Sequence, residues 1–172
     1  MPALCAALAG LVLLFVSLRP ADARPRPRAS KFSANKTFGL GIMLGAPTGL
    51  SGKYYFGPST ALDFGIGAIS RWTNRDGLHL HADVLWHPAV LVSTQPFVMP
   101  LYVGIGGRVF DYNDNNNDDL ALGLRVPLGI ALDFNSVPLD IFFEAVFVFD
   151  VINRGGARDY LNGAIGVRYY FN

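Results

Sequence analysis

From Thr37 to Phe171 the chain alternates between apolar side chains and small or polar ones, in about eight segments. Successive side chains of a β-strand point to opposite faces, so each segment would build a sheet with one apolar face and one mixed face. Segments of roughly 9–11 residues are long enough to cross a hydrocarbon layer when tilted. In that medium only a sheet closed on itself leaves no backbone donor or acceptor unpaired. The chain is 51% hydrophobic, yet after residue 23 it holds no continuous apolar run long enough for a membrane-spanning helix. The pattern therefore predicts an all-β fold, an eight-stranded antiparallel up-and-down transmembrane barrel with its apolar face in lipid and its mixed face in the lumen.

The first strand, about 37–45, sets Phe38, Leu40, Ile42 and Leu44 outward against Gly39, Gly41 and Met43, and Ala46-Pro47-Thr48-Gly49 turns the chain. The second turns Lys53 inward and ends at Gly57-Pro58-Ser59; the third turns Asp63 inward and leads to a polar loop over 71–77. The fourth, about 78–86, alternates Leu78, Leu80, Ala82, Val84 and Trp86 with His79, His81, Asp83 and Leu85. A connection containing Pro88 and Pro96 should lead to the fifth, which starts near Leu101 and carries Arg108 inward. The stretch from Asp111 to Asp119 is almost all Asn and Asp and reads as a loop. The sixth strand carries Arg125 inward and also Pro127, whose missing N–H predicts a bulge. The seventh turns Asp140 and Glu144 inward, a last loop covers 153–158, and the eighth turns Arg168 inward.

Residues 4–18 are apolar almost throughout and Ala21-Asp22-Ala23 has small residues at signal-peptidase spacing, so residues 1–23 read as a removed secretory signal. Cys5 lies inside it, which leaves a mature chain without disulfide or thiol chemistry. Residues 24–36, RPRPRASKFSANK, suit neither a helix nor a central strand and read as an extended, solvated basic tail on the periplasmic side. Residues 37–172 then form one barrel domain. The formal net charge of +1 gives no electrostatic case for nucleic acid.

With both termini periplasmic, Phe38, Tyr54, Phe56, Trp86, Tyr169 and Phe171 fall near one membrane interface, and Phe147 and Phe149 near the other. Two aromatic girdles result. The chain resembles small eight-stranded outer-membrane barrels of the OmpA-transmembrane or OmpX type over residues 37–172. The closing run Ile165, Val167, Tyr169, Phe171, followed by Asn172, is similar to the carboxy-terminal signature of such proteins. That resemblance implies the cell outer membrane, contact with its lipids and lipopolysaccharide, and recognition by the barrel-assembly machinery through Tyr169 and Phe171. A fold of this class does not by itself fix an activity.

The expected lumen face holds Lys53, Arg108, Arg125 and Arg168 against Asp63, Asp83, Asp140 and Glu144. Eight strands leave a lumen that side chains can fill, so a packed ion-pair network is expected, with Lys53 across from Asp63 and Glu144 near Arg168. His79, His81 and Asp83 share one face and form a candidate metal site, with Asp63 as the other ligand that could join them. Asp111, Asn113 and Asn115 imitate the opening of a calcium loop, without the glycine and the acidic ligand that complete one, and form a candidate surface cation site. No cofactor motif is read. The expected role is a monomeric structural or interaction barrel displaying short loops. The alternatives are a barrel lipid hydrolase or acyltransferase, although Ser70 and Ser93 stand in no nucleophile motif, and a soluble lipocalin-like binder, which would need an apolar lumen.

Overall fold

In the computed structural model, which describes residues 31–69, 77–114, 117–153 and 161–171, the chain forms eight antiparallel strands. They are β1 (Phe38–Gly45), β2 (Thr48–Tyr55), β3 (Thr60–Ile69), β4 (Gly77–Ser93), β5 (Phe97–Asp114), β6 (Asn117–Phe134), β7 (Leu139–Asn153) and β8 (Leu161–Phe171). Each pairs with its sequence neighbours, and β1 pairs with β8 from Phe38↔Phe171 to Gly45↔Ala164, so the sheet is a closed barrel. The closing seam is tight: a Cβ on Gly41 would run into the Val167 carbonyl. The expected signal, residues 24–30 and the bulk of the loops expected over 71–77 and 153–158 lie outside the described residues.

Side-chain direction follows the alternation. Along β4, His79, His81, Asp83, Leu85 and His87 are buried while Leu78, Leu80, Val84 and Trp86 are exposed. This inverts a water-soluble barrel, since the charged side chains are inside and the large apolar ones outside. At the end where β1 begins and β8 ends, exposed Tyr54, Phe56, Trp86, Tyr169 and Phe171 form an aromatic rim; Phe147 and Phe149 are exposed toward the other end.

Four local expectations are corrected. Thr48 and Gly49 belong to β2, so the first turn is only Ala46-Pro47, braced by the Thr48 hydroxyl, which donates to the Gly45 carbonyl at 3.0 Å. Gly45 there has φ +135°, a conformation that needs glycine. β4 does not stop at Trp86: it runs through Pro88, and the register shift between Trp86 and Ala89 absorbs the proline as a bulge. At Pro127 no bulge forms. Register is the same on both sides of it, and Gly104, opposite, leaves room for the ring, because a Cβ there would lie 3.0 Å from Pro127 Cγ. The Asn/Asp stretch is mostly strand, with Asp111↔Leu120 and Asp114↔Asn117 paired, so the β5–β6 ladder runs out to the Asp114↔Asn117 rung at its tip. At about 3.3 Å per residue their 18 residues overshoot a hydrocarbon core of about 30 Å even when tilted. Polar residues at that tip are consistent with water there.

The tail differs most. Residues 31–36 do not trail into solvent; they form a strap across the mouth at the end where β1 begins. Its side chains alternate, so Phe32 and Lys36 are buried. Phe32 stacks on His87 with ring centroids 4.8 Å apart and meets Tyr55 at 6.0 Å. The Ala34 N–H donates to the Pro58 carbonyl at 2.8 Å. Lys36 Nζ pairs with Asp133 and donates to the Phe134 and Leu139 carbonyls at 2.7 and 3.0 Å.

Candidate functional site: the charged barrel interior

The lumen is organised by inward glycines. Adjacent strands lie about 4.8 Å apart, so partners two strands apart meet only if nothing projects from the strand between them. Asp83, Gly106 and Arg125 lie in one cross-strand row, and Arg125 Nε donates over the glycine to Asp83 Oδ2 at 3.0 Å. Arg108, Gly123 and Asp150 form a second, where Arg108 Nη2 donates to both Asp150 oxygens at 2.8 and 3.0 Å. In the third, the Tyr102 hydroxyl reaches over Gly129 to Glu144 Oε2 at 3.2 Å. In all three the partners are 42 residues apart in sequence. A fourth row puts Arg168 Nε over Gly41, donating to Ser51 Oγ at 2.9 Å.

Arg168 is the central cation. Its Nη2 lies 2.7 Å from Asp63 Oδ1, its Nη1 3.6 Å from Asp140 Oδ2, and its guanidinium carbon 3.9 Å from the centre of the Phe142 ring. Asp140 Oδ2 also accepts from the Tyr170 hydroxyl at 2.7 Å. Arg125 extends its network to Glu144 Oε1 at 3.5 Å and His79 Nε2 at 3.4 Å. Burial of charge on this scale is tolerable only because each head group has an opposite charge or a lone pair to meet.

Lys53 is opposite Asp63 in register, but its ammonium sits 3.0 Å from His87 Nε2, over the rings of Tyr55 and Tyr102 at 4.9 and 5.0 Å. An ammonium only donates, so His87 Nε2 accepts; the ring proton is then on Nδ1, 3.0 Å from the Ser59 carbonyl that receives it.

All eight residues expected to line the lumen as an ion-pair network are inward, but Glu144 is not beside Arg168. Glu144 stands opposite Ala164, and Arg168 opposite Asp140. The last rung joins Phe147 to Leu161, so β7 overruns β8, and a count taken from the loop alone slips the register. The metal set also changes. His79 faces Arg125, while Asp63, His81 and Asp83 bring ligand atoms within 4.8 Å of one another. Of the calcium-like loop, Asp111 and Asn113 pair within the β5–β6 ladder, and Asn115 lies outside the described residues. Sequence reasoning missed Lys36, His87, Tyr102, Asp133, Asp150 and Tyr170; for Tyr102 and Asp150 the signal was an inward glycine between two partners in register.

Ser51 is a buried hydroxyl, yet its neighbour is a guanidinium, which donates to it and does not draw off its proton. Ser93 is exposed at the end of β4, and Ser70 lies outside the described residues.

No family model matches the chain, and no curated protein does. Among solved structures, the N-terminal β-barrel domain of Pseudomonas aeruginosa OprF aligns with 81% of this chain and 99% of its own, at 14% identity and a TM-score of 0.61. The chain shares the fold of that barrel domain. Neisserial surface protein A also aligns, over 84% of this chain and 100% of its own, at 14% identity and a TM-score of 0.47. Identity this low leaves the fold as what is shared, so the role must be argued from the barrel's own surfaces.

Proposed function

We propose that the chain is a structural or interaction barrel of a Gram-negative outer membrane, with a plugged interior and both termini on the periplasmic side. The observation that carries this reading is the polarity inversion: Ile105, on the outer face, is 63% exposed, whereas Arg125, on the inner face, is 1% exposed. In water such an outer face would be a large apolar patch, and in lipid it is a belt. The aromatic rim at the end where β1 begins and β8 ends supports that end as a membrane interface, and the long polar β5–β6 tip supports the other as the outward side. Lipids and lipopolysaccharide would contact the belt and the outer rim, and the barrel-assembly machinery would read Tyr169 and Phe171. A monomer suffices, since closure leaves no edge strand. The paired interior favours a scaffold over an enzyme or an open pore.

The test is a gel of the outer-membrane fraction with and without boiling. A band that resists carbonate extraction and shifts on heating is expected. Recovery in the soluble periplasm with no heat shift would overturn the reading and require a water-facing exterior.

A further inference from the structure

Asp63 and Asp83 stand directly opposite each other on β3 and β4, both inward and buried. Like charges facing across neighbouring strands repel. Each has one arginine, Arg168 on Asp63 and Arg125 on Asp83, so the two carboxylates are met by separate cations.

His81 completes the cluster. Its Nε2 is 3.9 Å from Asp63 Oδ2, its side chain is 2% exposed, and its Nδ1 has no hydrogen-bond partner. The backbone makes room for this ring and for the Asp83 carboxylate: a Cβ on Gly65 would lie 2.5 Å from His81 Cε1, and one on Gly106 would strike Asp83 Oδ1.

We propose that Asp63, His81 and Asp83 form a binding site for one divalent transition-metal ion of the zinc class. An imidazole with two carboxylates suits a borderline cation better than magnesium, which keeps an octahedral oxygen shell. Tetrahedral zinc with bonds of roughly 2.0–2.2 Å wants ligand atoms about 3.4 Å apart, so a set within 4.8 Å closes by up to about 1.4 Å through side-chain torsions. Arg168 and Arg125 then act as outer partners that orient the ligating carboxylates. The ion supplies positive charge between Asp63 and Asp83. Because all three ligating side chains are buried, it enters as the barrel forms.

The site stands apart from the proposed membrane role and can fail without it. Untagged protein is refolded into detergent with and without zinc, freed of excess metal and assayed for bound zinc per chain, with the heat shift on a gel reporting closure. Wild type and His79→Ala should each retain one zinc, and His81→Ala and the bulkier His81→Gln less than a tenth of that. Cobalt refolded in its place should give a visible absorption band that the His81 variants lack. A heat-shifting wild type with no bound zinc, or His81 variants that keep it, would overturn the site. A wild type that never shows the heat shift would instead overturn the barrel reading.

Discussion

Replacing Arg168 with Met should destabilise the barrel by about 4 kcal/mol, because breaking a buried ion pair from one side costs roughly 3–5 kcal/mol. The structure supplies the reasons for a value inside that range. The substitution strands two carboxylates, Asp63 and Asp140, and removes the cation from the face of Phe142, but Met refills the stem volume and Asp140 keeps the Tyr170 hydroxyl. Such a loss is about a thousandfold in the folding equilibrium. In urea unfolding followed by tryptophan fluorescence, the midpoint should fall by roughly 2 M if the urea dependence is about 2 kcal/mol per molar. Adding Asp63→Asn and Asp140→Asn to Arg168→Met should then recover most of the loss, since neutralising a whole buried network costs far less than orphaning half of it. A midpoint shift under roughly 0.5 M for the single variant, or a triple variant no better than the single one, would refute the view that Arg168 is held there by charge.

Glu144→Ala removes the acceptor of Tyr102 and a partner of Arg125 and should cost about 1–3 kcal/mol by chemical unfolding. It should give no steady current in planar bilayers, and a large stable conductance would mean that the interior is not packed. Lys36→Met leaves Asp133 without its buried partner and should release the strap, so that chymotrypsin cuts after Phe32 while the heat shift persists; equal cleavage of the wild type would contradict a seated strap. Ile105→Arg puts a charge on the outer face and should cost about 2–4 kcal/mol in folding from urea into liposomes if that face lies near the bilayer midplane. Unchanged folding would place Ile105 outside the lipid.

The alternation made the faces legible because a strand has period two and a closed barrel gives each face a single environment. His79, His81 and Asp83 could be turned inward from the sequence for that reason alone. Which inward groups meet was much less legible. Counting from a turn identifies neighbours on adjacent strands, such as Lys53 and Asp63, but long side chains ignore that pairing when a better partner is in reach. Lys53 bends to His87, which lies at the bulge with Pro88 where the fourth strand had been expected to end. Arg108 meets Asp150 across a whole strand, a contact that depends on Gly123 having no side chain. Phe32 and Lys36 were invisible for a different reason. Two inward residues in so short a segment are no pattern, and only the open mouth of a finished barrel gives them somewhere to go.

That last point bears on the order of events. The strap precedes every strand in the chain, yet its contacts are with the Pro58 turn between β2 and β3, with His87 on β4, and with the ends of β6 and β7. Those sites converge only once the sheet has curled round. The first described segment is therefore the last able to settle, and the moment Phe32 becomes shielded is a clock mark for completed assembly.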